Sequence, residues 1–215
     1  MLESKIQSHI ELLLKRFPLL KQCADDIEKA YLILEECYEK DGKLLIAGNG
    51  GSAADSEHIT GELMKSFKIP RPVPKEFAEK LKTIDPIRGD VLAHNLECGL
   101  MAIPLVALEA LSTAYINDVD GLGVFAQQLY CLGRNKDVFL AISTSGNSKN
   151  VMNATVVARA LGLKIIALTG AKGGELAKVA DVVIKVPEDE TYMRQELHLP
   201  VYHCLCLMLE TKFFG

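Results

Sequence analysis

The chain has 215 residues, of which 49% are hydrophobic and 24% charged, with a formal net charge of -4. That length suits one domain able to bury a full core, and the composition is that of a water-soluble globular protein. No long basic run is present, which argues against a broad nucleic-acid surface. No uninterrupted apolar run reaches membrane-spanning length.

Charges spread through Met1 to Phe17, so this stretch does not read as a secretory leader. Cysteines at 23, 37, 98, 131, 204 and 206 form no CxxC pair. They read as reduced thiols in a reducing compartment, and a cytoplasmic protein is expected.

In chain order, residues 1–40 predict a helical pair. Ile6, Ile10, Leu13, Leu14 and Phe17 recur at spacings of three and four, as do Ile27, Ala30, Leu34 and Cys37. After Gly42, Lys43 to Ala47 is a short continuous apolar run, the mark of a strand buried on both faces of a parallel sheet. Gly48 to Ser52 is a glycine-rich turn, followed by a predicted helix to about Phe67. Residues 68–95 begin with Ile69-Pro70-Arg71-Pro72-Val73-Pro74 and continue as a charged helical stretch containing Asp85-Pro86 and Gly89. This reads as an excursion from the sheet.

Ala102 to Val106 is a candidate strand. Asp137 to Ile142, Lys164 to Leu168 and Asp181 to Val186 predict further strands, with a helix over Val151 to Leu161 and a long one from Thr191 to about Phe213. Strand, turn and helix alternate, so the fold class is α/β: a parallel sheet flanked by helices with right-handed crossovers.

Two turns carry chemistry. In an open parallel sheet, ligands bind at the carboxyl ends of the strands. Gly48-Asn49-Gly50-Gly51-Ser52 lets backbone amides and a helix N-terminus approach an anion. Ser52 with Asp55 fits a capping box. Ser143-Thr144-Ser145-Gly146-Asn147-Ser148 offers four hydroxyls before another helix. Each alone also reads as a capped tight turn; together, after two buried strands of one sheet, they point to phosphate. No Gly-Lys-Ser/Thr follows either turn, and neither is a dinucleotide GxGxxG.

His58 and Glu62 stand four apart on the helix after the first turn, which puts both on one face. Glu62 is flanked by residues expected to be buried, where a carboxylate with a raised pKa serves as a base. An i,i+4 His–Glu pair is also a common surface contact. The last helix holds Gln195, Glu196, His198 and His203; a lone histidine on an apolar helix is usually a core residue.

GNGGSAADSEHITGEL (48–63), INDVDG (116–121), FLAISTSGNSKNV (139–151), IIALTGAKGGELAKVADVVIKVP (165–187) and QELHLPVYH (195–203) resemble the SIS (sugar isomerase) domain family, and within it the phosphoheptose isomerases. The resemblance implies a flavodoxin-like three-layer fold and one SIS domain over 1–215. Residues 1–40 would be a helical oligomerisation segment and 68–95 an insert longer than the family's connection.

It further implies Glu62 as general base and His203 as its acid–base partner. Phosphate would be held by Ser143, Ser145 and Ser148, with Thr144 in the sugar pocket, and the remaining substrate contacts would come from Asn49, Gly50, Gly51, Ser52, Asp118 and Gln195. Zinc, where held, would fall on His58, Glu62, Gln195 and His203. The implied assembly is a homotetramer with active sites between subunits, and the implied reaction is sedoheptulose 7-phosphate to D-glycero-D-manno-heptose 7-phosphate. An aspartate near the substrate in some relatives aligns with Tyr192. Two alternatives are a non-catalytic SIS subgroup that assists a replication initiator and an isomerase of another sugar phosphate. The subgroup lacks the Glu and His that this chain keeps at 62 and 203.

Overall fold

A computed structural model describes residues 2–215. Its helices are α1 (Ser4–Arg16), α2 (Ala24–Glu39), α3 (Gly51–Met64), α4 (Lys75–Ile84), α5 (Pro86–Asn95), α6 (Glu109–Asp118), α7 (Val124–Leu132), α8 (Lys149–Ala160) and α9 (Thr191–Phe214). Its strands are β1 (Leu44–Ala47), β2 (Ala102–Pro104), β3 (Val138–Ile142), β4 (Lys164–Gly170) and β5 (Val182–Val186). They form one sheet in the order β2-β1-β3-β4-β5, and every neighbouring pair is parallel.

The continuous apolar runs arise because each strand feeds two cores. Successive side chains point to opposite faces. Leu44, Ile46, Leu140 and Ile166 pack with α1, α2, α3 and α9 on one side. Leu45, Ala47, Phe139 and Ile165 pack with α7 and α8 on the other. Full burial of a side chain such as Phe139 is worth about 1.5–3 kcal/mol. The result is the expected helix–sheet–helix sandwich. Among the described residues, no helix is long and apolar enough to cross a membrane.

Two local readings need correction, and one stretch carried no reading. First, α3 stops at Met64, before Phe67. The chain breaks there because tertiary partners take the backbone groups: Leu63 O accepts from Arg71 Nη1 (2.8 Å) and from Leu100 N (2.9 Å). Phe67 N donates to Glu210 instead (2.8 Å). Second, the capping box of Ser52 and Asp55 does not form. Gly50 is the N-cap, with φ +57°, and no side chain caps the helix. The unread stretch is that of α6 and α7, which were not anticipated by periodicity. No residue of α6 is buried, so it has no apolar stripe to read.

Residues 68–95 form the α4–α5 hairpin. Asp85 caps α5, accepting from the amides of Ile87 (3.0 Å) and Arg88 (2.9 Å), and Pro86 takes the first helical position. Gly89 lets the helices touch: a Cβ there would lie 2.1 Å from Leu81 O. No residue of α4 is buried and only Gly89 of α5 is.

Candidate active site

In this strand order the winding reverses between β1 and β3, the place where such sheets bind ligands. The two phosphate-type turns meet there. They bound a cavity of about 270 Å³, lined by Asn49, Gly50, Gly51 and Ser52 from one turn, Ser143, Thr144 and Ser148 from the other, and Gln195 and Thr191 from α9. The N-termini of α3 and α8 both open here, and neither carries a side-chain cap. Uncapped helix starts favour an anion through their dipoles and free amides.

Gly51 has a packing reason. A Cβ there would lie 2.4 Å from Gln195 Nε2, so the amide rests on the helix start only because no side chain intervenes. Ser143 Oγ and Ser148 Oγ lie 2.9 Å apart, and Ser145 Oγ accepts from Asn147 N at 3.1 Å. Gly146 has φ +68°, and a Cβ there would lie 2.0 Å from Gly173 O, so the hydroxyl turn requires glycine at this point.

Further along α3, His58 Nε2 is 3.1 Å from Glu62 Oε1, and His203 Nε2 on α9 is 3.3 Å from His58 Nε2. His58 therefore stands between the two residues assigned to proton transfer. Glu62 also faces Lys65 Nζ at 3.4 Å. Burial pushes the His203 imidazole below its ordinary pKa and the His58 charge adds to this, while Glu62 opposes it. Tyr202 OH touches both His58 Nδ1 (3.0 Å) and Asp55 Oδ1 (3.2 Å).

The anticipated residues thus form two groups. Ser52 and Glu62 are ten residues apart on one helix, about 15 Å along its axis at 1.5 Å per residue. Gln195 belongs to the hydroxyl cavity, eight residues before His203 on α9, about 12 Å away along the axis. The His58–Glu62 and His58–His203 spacings match the edges of a tetrahedron with metal bonds of roughly 2.0–2.1 Å. The donors do not converge on a common point: among the described residues, no group of three or more His, Cys, Asp or Glu side chains is arranged to hold a metal ion.

Asp118 ends α6, exposed, accepting from Asn117 Nδ2 at 2.8 Å, and does not line the cavity. Sequence reading passed over Asn150, which exchanges two hydrogen bonds with Asn49 (3.0 and 2.9 Å), and the Tyr202–Asp55 contact. Both are tertiary pairings with no signal in local spacing.

A doubly wound parallel sheet with two hydroxyl- and glycine-rich turns at its switch point defines a phosphosugar protein of the SIS domain class, and the SIS domain family model matches residues 8–88 and 93–170. That match runs through most of the α4–α5 segment. The phosphoheptose isomerase of Akkermansia muciniphila is 35% identical over 199 residues, covering 93% of this chain and 92% of its own. That of Sulfurimonas denitrificans is 37% identical over 189 residues, covering 88% and 84%. A solved phosphoheptose isomerase structure from Francisella tularensis superposes with a TM-score of 0.75 at 30% identity, over 96% of this chain and 97% of that one. The chain belongs to the phosphoheptose isomerase family, and it is a sugar-phosphate isomerase.

Proposed function

We propose that the enzyme converts sedoheptulose 7-phosphate to D-glycero-D-manno-heptose 7-phosphate through an enediol, a step in heptose synthesis. The observation that carries this reading is the His58–Glu62–His203 cluster. Aldose–ketose isomerisation needs a base at carbon and an acid at oxygen. Glu62 takes the proton from C1 and returns it to C2, and His203 moves the proton between the two oxygens. Ser143, Ser145 and Ser148 hold the phosphate, with Thr144 beside the sugar, and the remote binding energy of the phosphate aligns the reacting carbons. Asn49, Ser52 and Gln195 contact the sugar.

The separation along α3 supports a site completed by a second copy, within a homotetramer. Ser52, at the sugar end of the cavity, and Glu62 lie about 15 Å apart along the α3 axis, so a sugar held at Ser52 sits well away from Glu62 of the same chain. The phosphate cradle of one copy would face Glu62 and His203 of another. Zinc, if bound, would be held by His58, Glu62, Gln195 and His203, which do not converge as they stand, so Glu62 and His203 are given the proton transfers directly. Elemental analysis of protein purified without added metal checks this; zinc at less than one equivalent with full activity leaves the residues as organic acid–base groups.

The test of the reaction is conversion of sedoheptulose 7-phosphate together with solvent-proton exchange at C1. Glu62→Gln keeps shape and removes the base, so turnover falls about 10²–10⁴-fold. Wild-type binding without conversion or exchange would favour a non-catalytic phosphosugar-binding protein. Exchange with a different ketose phosphate would move the substrate and keep the chemistry.

A further inference from the structure

Behind His58 lies a polar pair that the acid–base roles do not use. Tyr202 is 1% exposed, and its hydroxyl sits between Asp55 Oδ1 (3.2 Å) and His58 Nδ1 (3.0 Å). Asp55 Oδ2 is buried with no partner. A carboxylate kept in that condition costs stability, and such a group in a native fold calls for a role. Burial pushes the Asp55 carboxyl above its ordinary pKa, opposed by the Tyr202 hydrogen bond and by His58.

Where the Asp55 carboxyl is ionised, proton counting fixes the direction of the chain. A phenol has one proton, and an ionised carboxylate can only accept. The Tyr202 proton therefore goes to Asp55, and the phenol oxygen is left to accept from His58 Nδ1–H. We propose that Asp55 and Tyr202 are positioning residues that lock His58 as the Nδ1–H tautomer, with its bare Nε2 turned toward Glu62 and His203. The proposal rests on reading that cluster as the reacting centre.

The consequence reaches the chemistry. His203 Nε2–H becomes the donor of the 3.3 Å contact, which fixes the tautomer of the second imidazole as well. A bare nitrogen and a carboxylate oxygen 3.1 Å apart repel unless a proton or a cation is shared between them.

The test reads the tautomer directly. Nitrogen-15 NMR of imidazole-labelled protein at mildly alkaline pH distinguishes protonated from bare ring nitrogens, with His58→Gln used to assign the signals. Wild type should show His58 with Nδ1 protonated and Nε2 bare. Tyr202→Phe removes one oxygen and should release that preference. Asp55→Asn should reverse it, because the amide can donate to the phenol oxygen and send the phenol proton to Nδ1. In both variants kcat should fall about 10- to 100-fold, as when the outer partner of a working imidazole is lost, with KM unchanged.

A wild-type His58 protonated on Nε2, or a wild-type tautomer retained in both variants, overturns the proposal. If Asp55→Asn fails to fold, Tyr202→Phe decides it. The NMR result stands whether or not sedoheptulose 7-phosphate is the substrate, so failure of the tautomer lock and failure of the substrate reading are told apart.

Discussion

Arg71 and Glu210 form a buried ion pair, with Nη2 2.8 Å and Nε 3.0 Å from Oε1. Glu210 also accepts from the amides of Phe67 and Lys68, and Arg71 donates to Leu63 O and Glu62 O. Burial pushes the Glu210 carboxyl up, but the Phe67 amide and Arg71 outweigh it and hold it below the usual range. The pair ties the end of α3, which carries Glu62, to α9, which carries His203.

Glu210→Ala strands the guanidinium in the core and should cost about 3–5 kcal/mol. Urea unfolding measures this. Arg71→Met with Glu210→Leu should recover much of the loss, because the double variant leaves no unpaired charge. Equal instability of the single and double variants would mean that the backbone contacts, and not the charges, hold the junction.

Asn150 should matter for substrate affinity without touching the proton-transfer groups. It fixes the Asn49 amide by two neutral hydrogen bonds, each worth roughly 0.5–1.5 kcal/mol. Asn150→Ala is expected to raise KM about tenfold and leave kcat in place. Steady-state kinetics check it, and an unchanged KM would separate Asn49 from sugar binding.

His198 gives a pH signature. It is fully buried, and no hydrogen bond of ordinary geometry reaches either ring nitrogen, although the Thr169 backbone lies close by. Burial pushes its pKa down to about 4; the Thr169 backbone opposes the shift and Arg194 adds to it. In the unfolded chain its pKa returns to about 6.5. Below that value the unfolded state binds a proton that the folded state refuses, so stability should fall by about 3 kcal/mol as pH drops from about 6.5 to about 4. His198→Leu should flatten that part of the stability–pH curve relative to wild type, measured by urea unfolding across the window.

Mixing variants tests the shared site. Ser145→Ala/Ser148→Ala cripples the phosphate cradle and Glu62→Gln the base. If cradle and base come from different copies, unfolding and refolding the two inactive proteins together should restore activity in a fraction set by random pairing. No recovery, in a mixture shown to contain mixed oligomers, would place the whole site within one chain.

The parts of the fold legible in sequence were those whose environment is uniform along the chain. β1, β3 and β4 are buried on both faces, so their apolar runs are unbroken. α6 was not legible because its leucine and isoleucine lie exposed: Leu111 is 40% and Ile116 54% accessible. In the site, the His58–Glu62 contact followed from helical spacing. The Ser52–Asp55 box failed for a tertiary reason: Asp55 turns away from the helix start to meet Tyr202, 147 positions later. Residues that answer to a distant partner leave no local trace.

The α4–α5 hairpin leaves the body at the Pro72–Glu97 bridge and buries only Gly89. Its outward residues, Ile84 and Ile87 among them, answer to no core neighbour. Substitutions there escape the packing constraint that governs the sheet. The hairpin, like α6, is a part of the chain where substitution leaves the packing of the sheet undisturbed.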